Sequence, residues 1–172
     1  TIQKCRIVLS EFPDSKLVND AILLMAKAQY YRSEYDEAIT NLKIIYNQGN
    51  SQQVAEAKYW SAVCKWRKGK IQTAINELQE IIKLSGDENI KAQCHLSLAD
   101  IAFDLDRDED FLFHLEEGAK IIKDRAEKGI VYNKLADIAF NSENYAVAEG
   151  AYKEVIKNSL TKEKIENAHI QL

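Results

Sequence analysis

The sequence predicts an all-α array of antiparallel helix pairs, and three observations carry that prediction. The hexapeptide Leu98-Ala99-Asp100-Ile101-Ala102-Phe103 returns unchanged as Leu135 to Phe140, 37 positions later, and a fixed period of this length marks a stacked helical unit. Extending the period brings alanines into register at Ala26, Ala62, Ala99 and Ala136. Each is followed four positions later by an aromatic: Tyr30, Trp66, Phe103 and Phe140. Punctuation is sparse, with one proline and six glycines in 172 residues. An all-β chain needs turn residues about every 8–12 positions.

Taken in order, Ile2, Cys5, Val8 and Leu9 place a helix over 1–12, read as the second helix of a preceding repeat. Pro13 ends it, because the residue before a proline is pushed away from helical angles. Asp14 and Ser15 are candidate caps for a helix over 16–32 with Ile22, Met25, Ala26 and Tyr30 inward. A turn at Ser33-Glu34 leads into Tyr35 to Tyr46, and the loop 47–50 closes the first repeat, 14–50.

In the second repeat, 51–86, Ser51 is read as the cap of a helix to Lys68. Gly69-Lys70 makes the turn, and Ser85-Gly86 ends the helix Ile71 to Leu84. The third repeat, 87–123, pairs 88–105 with 108–123 around Asp106-Arg107. It is degenerate. Phe111 stands where Ala38, Ala74 and Ala148 stand, so a splayed or shifted pair is expected. The fourth, 124–159, pairs 125–141 with 144–158 around Ser142-Glu143, and 160–172 reads as the first helix of a further repeat. The whole of 1–172 is thus read as one array, a segment of a longer one.

Composition excludes some functions. A net charge of −4 argues against general nucleic-acid binding, which wants a basic face. The longest apolar run, Ala21 to Ala26, falls far short of the roughly 20 residues that span a bilayer, so no direct membrane insertion is expected. No signal peptide is visible, although an upstream signal or lipid anchor stays open because the chain begins inside a repeat. Cys5, Cys64 and Cys94 lack metal-motif spacing and are read as reduced packing residues. Charge is uneven: 56–70 carries five positives against Glu56 alone, net +4, whereas 99–117 carries eight negatives against Arg107, net −7. Blocks of opposite sign either form solvated faces or orient a partner.

Alanines recur 12 positions after the first set, at Ala38, Ala74 and Ala148, and Tyr31-Arg32-Ser33-Glu34-Tyr35-Asp36-Glu37-Ala38-Ile39 forms a helix-turn-helix junction. These features resemble the tetratricopeptide repeat, with a period of 36 or 37 against about 34 in the family. The resemblance implies a right-handed α-solenoid acting as a protein-interaction scaffold for a peptide or partner protein. It implies a groove lined by the first helix of each pair. Groove positions would be Leu23, Lys27 and Tyr30; Tyr59, Val63 and Trp66; Leu96, Asp100 and Phe103; and Asn133, Asp137 and Phe140.

Two readings of the aromatic column stay open. Either it is a ladder for an extended peptide, or it packs between repeats. The expectation is that Phe103 and Phe140 are mainly structural and that Tyr30 and Trp66 are more accessible. Asp100 and Asp137 would repel the acidic tails that chaperone-binding family members hold. Phe12-Pro13-Asp14-Ser15 is similar to the repeat junction of bacterial envelope-assembly lipoproteins, implying the cytoplasmic or periplasmic side of an envelope.

No catalytic chemistry is legible. His95, His114 and His169 stand isolated in sequence, and no enzyme, metal or cofactor is expected. Asp104 to Asp110 imitates the opening of a calcium loop, but Glu109 replaces its glycine and Leu115 its closing glutamate, so a helix-pair turn is expected. The alternatives are a module that self-associates as a homodimer through exposed repeat ends, and a regulatory domain of a larger enzyme.

Overall fold

The computed structural model describes residues 1–171; Leu172, the end of the expected partial repeat, lies outside the described residues. Among the described residues there are ten helices and no strand. They are α1 (Ile2–Glu11), α2 (Val18–Tyr31), α3 (Tyr35–Gln48), α4 (Ser51–Arg67), α5 (Ile71–Leu84), α6 (Glu88–Asp104), α7 (Asp108–Ile121), α8 (Arg125–Asn141), α9 (Tyr145–Asn158) and α10 (Lys162–Gln171). They form two compact units, Thr1–Ile90 and Lys91–Leu172.

One turn is used four times. Ser33 (φ 61°), Gly69 (φ 77°), Asp106 (φ 54°) and Glu143 (φ 59°) all sit in the left-handed region. The next amide donates back five residues, from Glu34 to Gln29 O (2.9 Å), Lys70 to Lys65 O (2.9 Å), Arg107 to Ala102 O (2.9 Å) and Asn144 to Ala139 O (2.8 Å). The left-handed residue's own amide meets the carbonyl of Tyr30, Trp66, Phe103 or Phe140. This is the Schellman arrangement, which satisfies the orphan carbonyls of a helix end and reverses the chain. It also seats each column aromatic two residues before its helix cap. The fourth turn lies one residue later than the Ser142-Glu143 expected from the sequence. Junctions between pairs differ: Gly49, Ser85 and Ser159 are extended there.

Two caps also depart from expectation. Asn50, not Ser51, caps α4: its side chain accepts from the Gln53 amide (2.9 Å), and Gln53 Oε1 accepts in return from the Asn50 amide (3.1 Å). This is a capping box, which meets two orphan donors reciprocally. Leu17 stands at the start of α2 with no side-chain cap; Ser15 Oγ accepts from the Leu17 amide instead (3.2 Å).

In the first unit α2 packs on α1, α3 and α4, and α4 also on α3 and α5. Ala26, Ala38, Ala62 and Ala74 are buried at these crossings, with Leu42, Ile45 and Leu78 filling the space between. Each such aliphatic side chain contributes about 1.5–3 kcal/mol on burial. In the second unit α8 packs on α7 and α9, and α10 on α9. Its core joins Ala99, Ala102, Phe111, Leu115, Leu135, Ala136, Ala148 and Val155.

The degenerate third pair exchanges volume along its second helix. Where the other pairs run Ala38/Ile45, Ala74/Ile81 and Ala148/Val155, α7 runs Phe111/Gly118. Phe111 is fully buried against Phe103 (centroids 5.6 Å). A Cβ on Gly118 would stand 3.1 Å from Leu96 Cδ2 and 3.3 Å from His95 Cβ, so α7 approaches α6 closely at that level. The bulk removed at 118 reappears at 111.

Candidate partner-binding face

In the first unit, the expected groove positions are mostly closed by the chain itself. Leu23, Val63 and Trp66 are buried, Trp66 at 8% exposure. Lys27 pairs with Glu56 and stands over the Trp60 ring (5.7 Å). Tyr30 is half-buried, edge-on to Trp60 (5.3 Å) and to Tyr31 (5.3 Å), and Tyr59 is edge-on to Trp60 (5.4 Å). Arg67 completes the closure: its Nε donates to the Tyr30 hydroxyl (3.2 Å) while its guanidinium lies 4.0 Å from the Trp66 ring centroid. An arginine over an indole face is a favourable cation–π contact.

In the second unit the same register is open. Phe103 is 64% exposed and Phe140 40% exposed. This reverses the expectation from the sequence, in which these two were structural and Tyr30 and Trp66 accessible. The reason is local. Position 67 holds an arginine that folds back over its aromatic neighbour, while the matching positions hold Asp104 and Asn141. Behind Phe140 stands Tyr145, edge-on at 5.7 Å and itself exposed.

The two register aspartates are both exposed but differently held. Asp100 meets Lys134 at 3.5 Å, joining α6 to α8. Asp137 accepts from Asn133 Nδ2 (2.7 Å) and the Tyr152 hydroxyl (3.2 Å), two uncharged donors. Beside Asp137 opens a shallow cavity of about 440 Å³, lined by Asn133, Tyr152, Lys164 and Asn167 among others. Leu96, also on the expected face, is half-buried and contacts Gly118.

Two of the five cations of the basic block are paired within the fold: Lys65 with Glu77 (2.5 Å) and Lys68 with Asp36. The acidic block keeps more of its charge. Glu116 and Glu117 share Lys120. Asp104, Asp106, Asp108, Glu109 and Asp110 are all exposed and form no ion pair among the described residues. Asp108, Glu109 and Asp110 make the first turn of α7, where acidic groups favour the positive end of the helix dipole.

Sequence reasoning read the histidines as isolated; the fold brings two together. His95 on α6 and His114 on α7 face each other with Nδ1 to Nδ1 at 3.1 Å. One ring must donate and the other accept, which only neutral or singly protonated rings can do. Burial holds both below the ordinary histidine value; for His114 the neighbouring His95 adds to this, while Asp110 and Glu117 oppose it. The residues lie almost equidistant from the turn at Leu105-Asp106, a signal the antiparallel pair contained. The three cysteines are buried and free, and burial pushes the Cys64 thiol up to about 11 and Cys94 to about 12. Among the described residues no helix is long and apolar enough to cross a membrane.

Residues 23–89 match the family model described as tetratricopeptide repeat. Two solved structures share the fold. The crystal structure of MamA is 18% identical with a TM-score of 0.58, covering 99% of this chain and 87% of that chain. The crystal structure of BtubC (BKLC) from P. vanneervenii is 14% identical with a TM-score of 0.67, covering 99% of this chain and 77% of that chain. No curated protein sequence matches. Identities this low carry the architecture and nothing further.

Proposed function

From a chain whose residues 23–89 are of the tetratricopeptide-repeat type, we propose a protein-interaction scaffold that holds a peptide or partner protein on its first-helix face. Repeats of this kind are in general non-catalytic and bind proteins. The observation that carries the reading is the pair Phe103 and Phe140, large aromatics left exposed at equivalent positions of α6 and α8. Folding does not need a phenylalanine in water, and exposed aromatics rimmed by polar groups mark interaction sites. Asp100, Asn133 and Asp137 supply the polar rim. Leu23, Val63 and Trp66, buried within the first unit, are not partner contacts in this reading.

The test is a displayed peptide library selected on the immobilised full chain, followed by binding of the selected peptides to Phe103→Ala and Phe140→Ala. Retention by the wild type, with about tenfold or greater loss in each variant at unchanged helicity, is the expected result. Peptides that bind the variants as well as the wild type, or no retained peptide at all, would refute it.

A further inference from the structure

We infer that the face of the second unit takes an arginine-bearing, otherwise apolar segment, with guanidinium groups stacked on Phe103 and Phe140. This rests on the scaffold reading above and names the chemistry of its partner.

The chain contains its own example of the contact. At one position of the period, Arg67 lies over Trp66 at 4.0 Å and donates to the Tyr30 hydroxyl at 3.2 Å. The aromatic beneath it is buried, at 8% exposure. Thirty-seven and 74 residues later the aromatic is kept, as Phe103 and Phe140, but the arginine is replaced by Asp104 and Asn141. Each ring then lies open. The cation that would cover it has been exchanged, at Phe103, for a carboxylate that attracts one.

Charge complementarity points the same way. Asp104 and Asp106 flank Phe103 in the turn, and Glu143 follows Phe140. Asp137 accepts only from neutral donors, Asn133 and the Tyr152 hydroxyl, and forms no ion pair among the described residues. Of the cations on this surface, Lys134 is engaged by Asp100 at 3.5 Å, and Lys164 lines the cavity beside Asp137. An incoming guanidinium finds an aromatic face and a carboxylate within one turn of helix, twice over. A planar guanidinium stacks and pairs at once, which an ammonium does less well. The apolar part of the segment is called for by Tyr145 at 59% exposure beside Phe140.

The experiment uses the full chain and three short fluorescein-labelled peptides in which leucine alternates with arginine, lysine or glutamate. Polarisation titrations are expected to rank arginine above lysine by several-fold and above glutamate by at least about tenfold, with affinity falling as salt rises. Phe103→Ala and Phe140→Ala should each weaken the arginine peptide about tenfold with unchanged circular dichroism. Asp104→Arg should weaken it comparably, because the new side chain would cover Phe103 as Arg67 covers Trp66. Equal binding of the arginine and glutamate peptides, or no effect of either phenylalanine variant, would overturn the inference. If library-selected peptides lacking arginine bind the wild type through Phe103 and Phe140 while the arginine peptide does not, the scaffold reading stands and this one falls. If nothing binds, both fall.

Discussion

Exchanging the bulk at positions 111 and 118 tests whether the third helix pair is a volume-conserving variant of the others. Phe111→Ala empties a fully buried site, and aromatic-to-alanine changes in cores cost about 3–5 kcal/mol. Gly118→Ile overfills its site, since even a Cβ there would stand 3.1 Å from Leu96 Cδ2 and 3.3 Å from His95 Cβ. Overpacking costs about 1–3 kcal/mol, less about 0.5–1 kcal/mol regained because isoleucine forms helix better than glycine. The double variant reproduces the order small-then-large of Ala38/Ile45 and Ala74/Ile81. Letting α7 tilt into the geometry of its neighbours should then relieve both faults together. Urea unfolding of the four proteins is expected to show the double variant about 1–2 kcal/mol more stable than the sum of the single losses allows, a coupling typical of residues sharing one contact surface. Strict additivity, within about 0.5 kcal/mol at constant m, would mean the two positions are independent and the exchange accidental.

Architecture was largely legible because it rests on local, repeated rules. The 36–37-residue period, the alanines at each crossing and the turn residues at Ser33, Gly69 and Asp106 were all readable from spacing. Caps were less so: Asn50 and Ser51 are both good capping residues, and only the reciprocal bond with Gln53 decides between them. Burial along the aromatic column runs opposite to the expectation from spacing. Its four members occupy one backbone position, two residues before the cap, so periodicity treats them alike. What separates them is the next residue, Arg67 against Asp104 and Asn141, and whether that side chain folds back is a tertiary matter. His95 and His114 were missed for a related reason: 19 residues apart in sequence, they meet only once two helices have turned on each other. The basic block is smaller than the sequence implies because two of its partners, Glu77 and Asp36, lie on other helices.

The Schellman turns predict opposite effects of glycine. Glu143→Gly should stabilise by up to about 1 kcal/mol by removing a left-handed side chain, and Gly69→Ala should destabilise by a similar amount, both read from thermal melts. The histidine pair predicts acid sensitivity. Because burial lowers both rings below 6.5, the unfolded chain binds more protons there, so stability present above pH 6.5 is lost as the pH falls towards the folded values. Melting temperature should therefore drop by a few degrees between pH 7 and 5, and drop less in His114→Gln. The column itself gives the sharpest contrast. Trp66, at 8% exposure, carries packing on α4 and the Arg67 stack; its truncation to alanine should cost about 3–5 kcal/mol and release Arg67 from the indole face. Phe103, at 64% exposure, offers most of its ring to water; its truncation should cost under about 1 kcal/mol of folding, since surface changes away from special contacts seldom exceed a few tenths. Chemical denaturation of the two variants decides the matter. Equal large losses would mean that Phe103 is part of the core despite its exposure, and the open register on which partner binding is proposed would be closed. A small loss at Phe103 beside a large one at Trp66 would establish that the same backbone position is spent on stability in one unit and left available for recognition in the other.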